Sequence, residues 1–233
     1  MPAGGNVVYA VIPDCQLQSA TVSAADAITT VLSHELVEAA TNPYIETAPA
    51  WYGVAAPFLI WELATGGLEL ADLCEYPITQ PVGGAGHFAI QRSYSNAAAL
   101  AGNDPCVPAR GVYFNAAVVT TDDVLISPPH ATNMTLATRG SYIAAGATRQ
   151  LQLRLFSNAA VTWQLSVEQL CINECANLAF ILEAPLGRNG RTLNLTVTVL
   201  REDATLGFEA FVVTSTFNGV RNYWYGVVSQ RLA

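Results

Sequence analysis

The second half of the chain carries the pattern that most constrains its fold, because apolar and polar residues alternate there along short segments. The clearest examples are Leu151–Leu155, Val161–Leu165, Leu193–Val199 and Phe208–Val213. A period of two places the apolar side chains on one face of a strand, and turn residues such as Asn189-Gly190 separate the segments. This spacing predicts an all-β, immunoglobulin-like sandwich domain over residues 125–233, with Trp163 and Trp224 in its core.

Residues 1–124 mix strand and helix signals. Residues 6–12 are apolar and β-rich, which favours a strand. Ser23 and Asp26 have the spacing of a helix N-cap and its first turn, and a helical pattern then continues to about Ala40. Asn42-Pro43 ends it, because the residue before a proline avoids the helical region. We therefore predict an α+β domain over residues 1–124.

The helix contains the candidate chemistry, the run His34-Glu35-Leu36-Val37-Glu38. Residues four apart lie on the same helix face, so His34 and Glu38 could bind one metal ion. Zinc peptidases use this geometry in H-E-x-x-H, with the intervening glutamate as general base. Glu35 occupies that base position, while Glu38 replaces the second histidine. The alternative to a metal site is a solvated acidic helix face beside a hydrogen-bonded histidine.

A catalytic zinc ion needs a third protein ligand and one open position. Glu69 and Asp72 are both candidates, and we slightly favour Asp72 because it lies beside Cys74, whose disulfide would fix the backbone. Tyr94 and His87 are equal candidates for stabilising an oxyanion. One imidazole and two carboxylates are harder donors than two imidazoles and one carboxylate. The predicted ion is therefore Zn²⁺, with Mn²⁺ or Ca²⁺ as competitors.

The chain has five cysteines, at positions 15, 74, 106, 171 and 175, and their spacing indicates the cellular compartment of the protein. No C-x-x-C pair suggests a structural zinc site, and the spacing favours disulfides between Cys74 and Cys106 and between Cys171 and Cys175. Pairing of Cys15 with Cys74 or Cys106 is the alternative. Disulfides require an oxidising compartment, so a secreted or periplasmic protein is expected.

Charge and hydropathy exclude two classes of partner. The net charge is −8 and the cations are scattered, which argues against nucleic acid. Apolar runs are too short for a membrane-spanning helix. In the C-terminal domain, Tyr223-Trp224-Tyr225 could form an exposed aromatic strip for a carbohydrate or cell-surface partner.

Three segments together carry a resemblance to a known group of proteins: His34–Pro43, Glu69–Cys74 and Ser93–Asn96. They resemble secreted bacterial zincin-like metallopeptidases, which have an H-E-L-x-E-A-x-T-D-P helix and a later E-I-x-D-L-C segment. The likeness covers about residues 6–107, and Asn42 replaces the aspartate of the group. It implies a zincin-like domain in which His34, Glu38 and either Glu69 or Asp72 bind metal and Glu35 is the base.

Two functions follow from these expectations. The first is a metal-dependent peptidase acting on a protein or peptide substrate through a metal-activated water molecule. The second is a non-catalytic extracellular binding or adhesion protein whose metal ion is structural.

Overall fold

A computed structural model describes most of the chain and gives its helices and strands. The described residues are 11–12, 23–44, 47–67, 69–75, 82–83, 88–108, 112–129, 134–173, 175–201 and 203–233. The helices are α1 (Ala24–Thr41), α2 (Ile60–Thr65) and α3 (Asn96–Leu100), with 3-10 turns at Ala56–Phe58 and Asp72–Cys74. The strands are β1 (Val82–Gly83), β2 (Ala89–Ile90), β3 (Ser93–Tyr94), β4 (Cys106–Val107), β5 (Phe114–Val119), β6 (Asp122–Ile126), β7 (Leu136–Tyr142), β8 (Thr148–Ser157), β9 (Thr162–Leu170), β10 (Leu178–Leu182), β11 (Leu186–Arg188), β12 (Thr192–Val199), β13 (Phe208–Phe217) and β14 (Val220–Ser229).

Two large sheets form a β-sandwich, as the alternating sequence pattern predicts. One sheet has the order β10-β12-β8-β5 and the other β11-β9-β13-β14-β7-β6. The pairs are antiparallel except β14 with β7. In β12 the burial alternates strictly, so that Leu193, Leu195 and Val197 all point into the core between the sheets. Trp163 and Trp224 lie in the same core, which confirms that prediction.

A second core lies on the opposite face of the six-stranded sheet. Val212, Tyr225 and Val227 of that sheet pack there against Trp61 of α2 and Leu73 of the second 3-10 turn. Trp61 makes an edge-to-face contact with Tyr225, with ring centroids 4.7 Å apart. The N-terminal elements therefore form a third layer on the sandwich. We call this set, residues 23–108 as described, the N-terminal layer.

The prediction of an α+β zincin-like N-terminal domain is wrong, because the molecule is mostly β and fits a β-sandwich. The described strands before residue 108 have only two residues each, in the pairs β1-β2 and β3-β4. They are too short to give a helix an extended sheet to pack on. The predicted strand at residues 6–12 lies outside the described residues, apart from Val11 and Ile12.

Helix α1 itself begins and ends as predicted. The Ser23 side chain accepts a hydrogen bond from the Asp26 amide, and Asn42 is the C-terminal cap. Ala27 is the only buried residue of α1, and Leu36 is 59% exposed. The helix is therefore fixed by its caps and by polar contacts more than by apolar burial.

Both predicted disulfides are present. Cys74 is bonded to Cys106, and Cys171 to Cys175. Cys15 lies outside the described residues.

No helix in the described part of the chain is both long and apolar enough to cross a bilayer. The predicted boundary between the two domains, after residue 124, falls within β6. Strand β5, which precedes this boundary, pairs with β8 in the sandwich. The boundary stays a prediction.

Candidate metal centre

Helix α1 brings His34 and Glu38 together with Asp72 of the 3-10 turn Asp72–Cys74. His34 Nε2 lies 3.0 Å from Glu38 Oε1 and 3.5 Å from Asp72 Oδ1. The three residues offer ligand atoms that all lie within 4.8 Å of one another. The His34 and Glu38 side chains are only 12% and 13% exposed, and that of Asp72 is 29% exposed. Three donors at these separations could surround one small cation.

The backbone around Asp72 is held by three features of the sequence. The disulfide from Cys74 ties the turn to β4. The Glu69 amide donates a 3.4 Å hydrogen bond to Asp72 Oδ2. Gly67 has no side chain, and a Cβ atom there would lie 2.1 Å from the Asp72 Cβ. Any larger residue at position 67 would therefore displace the Asp72 side chain.

Gln91 orients the imidazole of His34. The Gln91 Nε2 group donates to the Ala71 carbonyl at 2.8 Å, so its Oε1 atom faces His34 Nδ1 at 3.0 Å. An amide oxygen only accepts hydrogen bonds, so His34 Nδ1 must carry the proton. The Gln91 amide N–H also donates to Ser33 Oγ at 2.8 Å, which fixes the glutamine against α1.

This tautomer has a direct electrostatic consequence. With the proton on Nδ1, the Nε2 atom of a neutral His34 presents a lone pair to the oxygens of Glu38 and Asp72. Glu38 Oε1 is buried and accepts no hydrogen bond from the described residues, because its contact with His34 lacks hydrogen-bond geometry. Facing lone pairs repel, so either a proton on the Glu38 carboxyl group or a cation among the three donors would stabilise this arrangement.

The surrounding carboxylates make the site strongly negative. The pKa of Glu38 is raised to about 7, mainly by burial; His34 lowers it, and the negative charges of Asp72, Glu69 and Glu35 add to the rise. Burial also raises the pKa of Glu69, again with contributions from Asp72 and Glu35. Four carboxyl groups thus act on one another around a single imidazole. A divalent cation would relieve this repulsion.

The other predicted site residues occupy different positions. Glu69 lies close enough to influence Glu38 electrostatically, but it is outside the group of three donors. Glu35 is exposed on α1 beside His34. Tyr94 is buried between Trp51 and Trp61, with centroids 6.2 Å and 5.5 Å away, and burial raises its pKa. His87 lies outside the described residues.

Sequence reasoning missed Gln91 and Gly67. Gln91 follows the two-residue strand β2, and its distance from His34 along the chain gives no local signal. Gly67 belongs to Gly66-Gly67, which a sequence-based reading assigns only to a turn. Gly66 does end α2 in the left-handed conformation, whereas Gly67 is needed for the close approach of Asp72.

Comparison with known proteins gives little further information. No protein-family model matches the sequence, and no curated protein matches it. Among solved structures, a FixG-related protein from Vibrio parahaemolyticus is similar with a TM-score of 0.33 and 7% identity, over 53% of this chain and 100% of that chain. A likeness at this level identifies neither a fold nor a function.

Proposed function

We propose that this chain is a metal-dependent hydrolase of peptide bonds, with one divalent cation held by His34, Glu38 and Asp72. The observation that supports it best is the orientation of His34, whose bare Nε2 atom faces two carboxylate oxygens. A histidine that donates its other N–H to an oxygen acceptor is the usual arrangement at protein metal sites.

The donor set fits Zn²⁺ and leaves room for competitors. Zinc accepts imidazole nitrogen and carboxylate oxygen, and three protein ligands leave one position open for catalysis. The buried Glu38 oxygen that accepts no hydrogen bond from the described residues gives such an ion a donor. Because two of the three donors are carboxylates, Mn²⁺ and Ca²⁺ compete better here than at a site with two histidines.

Bound Zn²⁺ would lower the pKa of a water molecule to about 7 and polarise the scissile carbonyl. Glu35 would act as the general base: its carboxylate would accept a proton from the attacking water molecule and pass it to the leaving amine nitrogen. Its exposed position beside His34 leaves the carboxylate accessible to a substrate. Glu69 adds negative charge near the site but is assigned no step.

We place this activity outside the cytoplasm, in a secreted or periplasmic protein. Two disulfides, one of them beside Asp72, support this location because cytosolic thiols are kept reduced. The proposed substrate is a protein or peptide.

The test is cleavage of fluorescently labelled casein, an unstructured protein, by Zn²⁺-loaded wild type. Cleavage is expected to stop with a chelator and to fall by at least about a hundredfold in Glu35→Gln, the loss expected for a general base. Glu183→Gln, at an exposed position after strand β10, is the matched control and should leave the rate unchanged. Cleavage that persists in both the chelated protein and Glu35→Gln would reject the proposal.

A second function is favoured by the weak packing of α1. Because Ala27 is its only buried residue, a cation shared by His34, Glu38 and Asp72 would tie the helix to the N-terminal layer. The ion would then be structural, in an extracellular binding or adhesion protein. Zn²⁺ that raises the melting temperature without hydrolysis of casein would favour this alternative.

A further inference from the structure

A polar cleft lies on the sandwich, on the same side of the six-stranded sheet as the N-terminal layer. Its volume is about 480 Å³, within the range of small-molecule sites. Strands β9, β13 and β14 form its floor, and Ala64 of α2 stands at one side. The cleft therefore begins where the N-terminal layer stops covering the sheet.

Strand register places the lining residues in cross-strand rows. Glu168, Val212 and Tyr225 form one row, and Ser166, Thr214 and Tyr223 form the next. Thr216 pairs with Arg221 in the row beyond. Residues two apart on a strand share a face, so these side chains all point to the cleft side.

The face of the sheet that lines the cleft is apolar at one end and polar at the other. Val212 and Tyr225 belong to the apolar core beneath the N-terminal layer, and both are buried. One row further, Thr214 is still only 7% exposed although its neighbours are polar. The floor of the cleft is therefore closed at Thr214, while Ser166 at its rim is exposed.

The charged groups at the cleft are free to bind a ligand. Glu168 and Arg221 lie at opposite corners of the set of rows, and both are exposed. Neither forms an ion pair with another described side chain. One carboxylate and one guanidinium cancel in formal charge, so the cleft favours a neutral polar ligand over a strongly charged one.

We propose that this cleft binds a neutral saccharide. A carboxylate accepts two hydrogen bonds side by side and a guanidinium donates two, which matches adjacent hydroxyl groups of a sugar ring. The hydroxyl groups of Ser166, Thr214 and Thr216 can each donate and accept, as sugar hydroxyls require. The half-buried Tyr223 offers a ring with an apolar face and a polar end.

The site differs from the aromatic strip expected from Tyr223-Trp224-Tyr225. Trp224 points into the core between the sheets, and Tyr225 is buried under the N-terminal layer. A peptide cannot bind here by strand addition, because β13 is paired on both sides, with β9 and β14, and so presents no free edge. The saccharide proposal is independent of the metal centre.

The probes are four neutral oligosaccharides, cellohexaose, chitohexaose, xylohexaose and mannohexaose, each titrated into the full chain by isothermal calorimetry. At least one should bind. Arg221→Met should then weaken its binding about tenfold, the loss expected for a hydrogen bond to a charged group. Ser166→Trp should abolish binding by filling the cleft. Both positions are exposed, so neither variant threatens folding.

Matched controls are Arg188→Met on β11 and Tyr142→Ala on β7, which are exposed positions outside the cleft. Both controls should bind as wild type does. The proposal is overturned if none of the four sugars binds, or if the cleft variants bind as tightly as the controls. A heparin fragment that binds when all four neutral sugars fail would also overturn it.

Discussion

The sandwich and the N-terminal layer are stabilised in different ways. The sandwich has strands of up to ten residues with continuous ladders, and its side chains alternate between two cores. The N-terminal layer packs one apolar face on the sandwich, but α1 and the two-residue strands are held mainly by individual polar contacts and one disulfide. Arg92 illustrates this, because its buried guanidinium donates to Asp104 and to the Cys106 carbonyl beside the disulfide.

The stability of the sandwich and the geometry of the candidate site therefore depend on different kinds of contact. In the sandwich many similar apolar contacts share the free energy of folding, so no single polar group determines the fold. In the N-terminal layer a few groups determine one geometry, as Gln91 does for His34. The proposed metal centre would need such defined positions, and contacts of this kind occur in the N-terminal layer.

The largest expected effect lies in the sandwich core. Phe211 is fully buried, and its ring packs on Phe180 and on the backbone of Gly226. Phe211→Ala should lower the free energy of unfolding by about 3–5 kcal/mol, measured by urea denaturation. The control is Leu36→Ala on the exposed face of α1, for which about 0.5 kcal/mol or less is expected. Equal losses would contradict the comparison.

The next effect is expected from the disulfide of the N-terminal layer. Replacing Cys74 and Cys106 by serine should cost about 3–4 kcal/mol, because the bond closes a long loop. It should also weaken Zn²⁺ binding, since Asp72 loses its anchor. Replacing Cys171 and Cys175, only four residues apart, should cost about 2 kcal/mol and leave Zn²⁺ affinity unchanged. Calorimetric melting and zinc titration of both variants measure these effects.

A smaller effect should be confined to the metal centre. Gln91→Leu removes the acceptor that fixes the His34 tautomer, so Zn²⁺ affinity should fall by about 10–100-fold with little change in melting of the metal-free protein. Gln150→Leu, at an exposed position on β8, is the control. Zinc affinity that is equal in the two variants would show that Gln91 does not orient the ligand.

The smallest effect concerns pH. The pKa of Glu38 rises from 4.5 to about 7 in the folded, metal-free protein, so folding favours its protonated form. This contribution to stability is fully present below about pH 4.5 and is lost as the pH rises through about 7. Chelated wild type should therefore lose stability relative to Glu38→Gln over this range, by a few degrees in Tm. A relative gain in stability would contradict the assignment.

Much of the sandwich could be predicted from the sequence, because period-two alternation decides which face of a strand is buried. Leu193, Leu195 and Val197 illustrate this. The ends of α1 were predictable for a similar reason, since Ser23 and Asn42 act on neighbouring backbone groups. The α+β prediction failed because a helical pattern does not show what packs on the helix.

The cluster of His34, Glu38 and Asp72 was predictable only in part. His34 and Glu38 are four residues apart on one helix, so their proximity follows from helix geometry. The approach of Asp72 depends on Gly67, on the disulfide and on Gln91, which are contacts across the N-terminal layer. Periodicity carries no information about such contacts. The sequence alone could not show that Asp72 lies closer to His34 than Glu69 does, and the choice of third ligand stays a prediction.

The most direct test of the central claim is calorimetric titration of Zn²⁺ into chelator-treated protein, compared with His34→Ala and Glu35→Gln. We predict one ion per chain for wild type, the same stoichiometry for Glu35→Gln, and loss of binding in His34→Ala. If wild type binds no ion, or if His34→Ala binds it as tightly as wild type, there is no cation site at this imidazole.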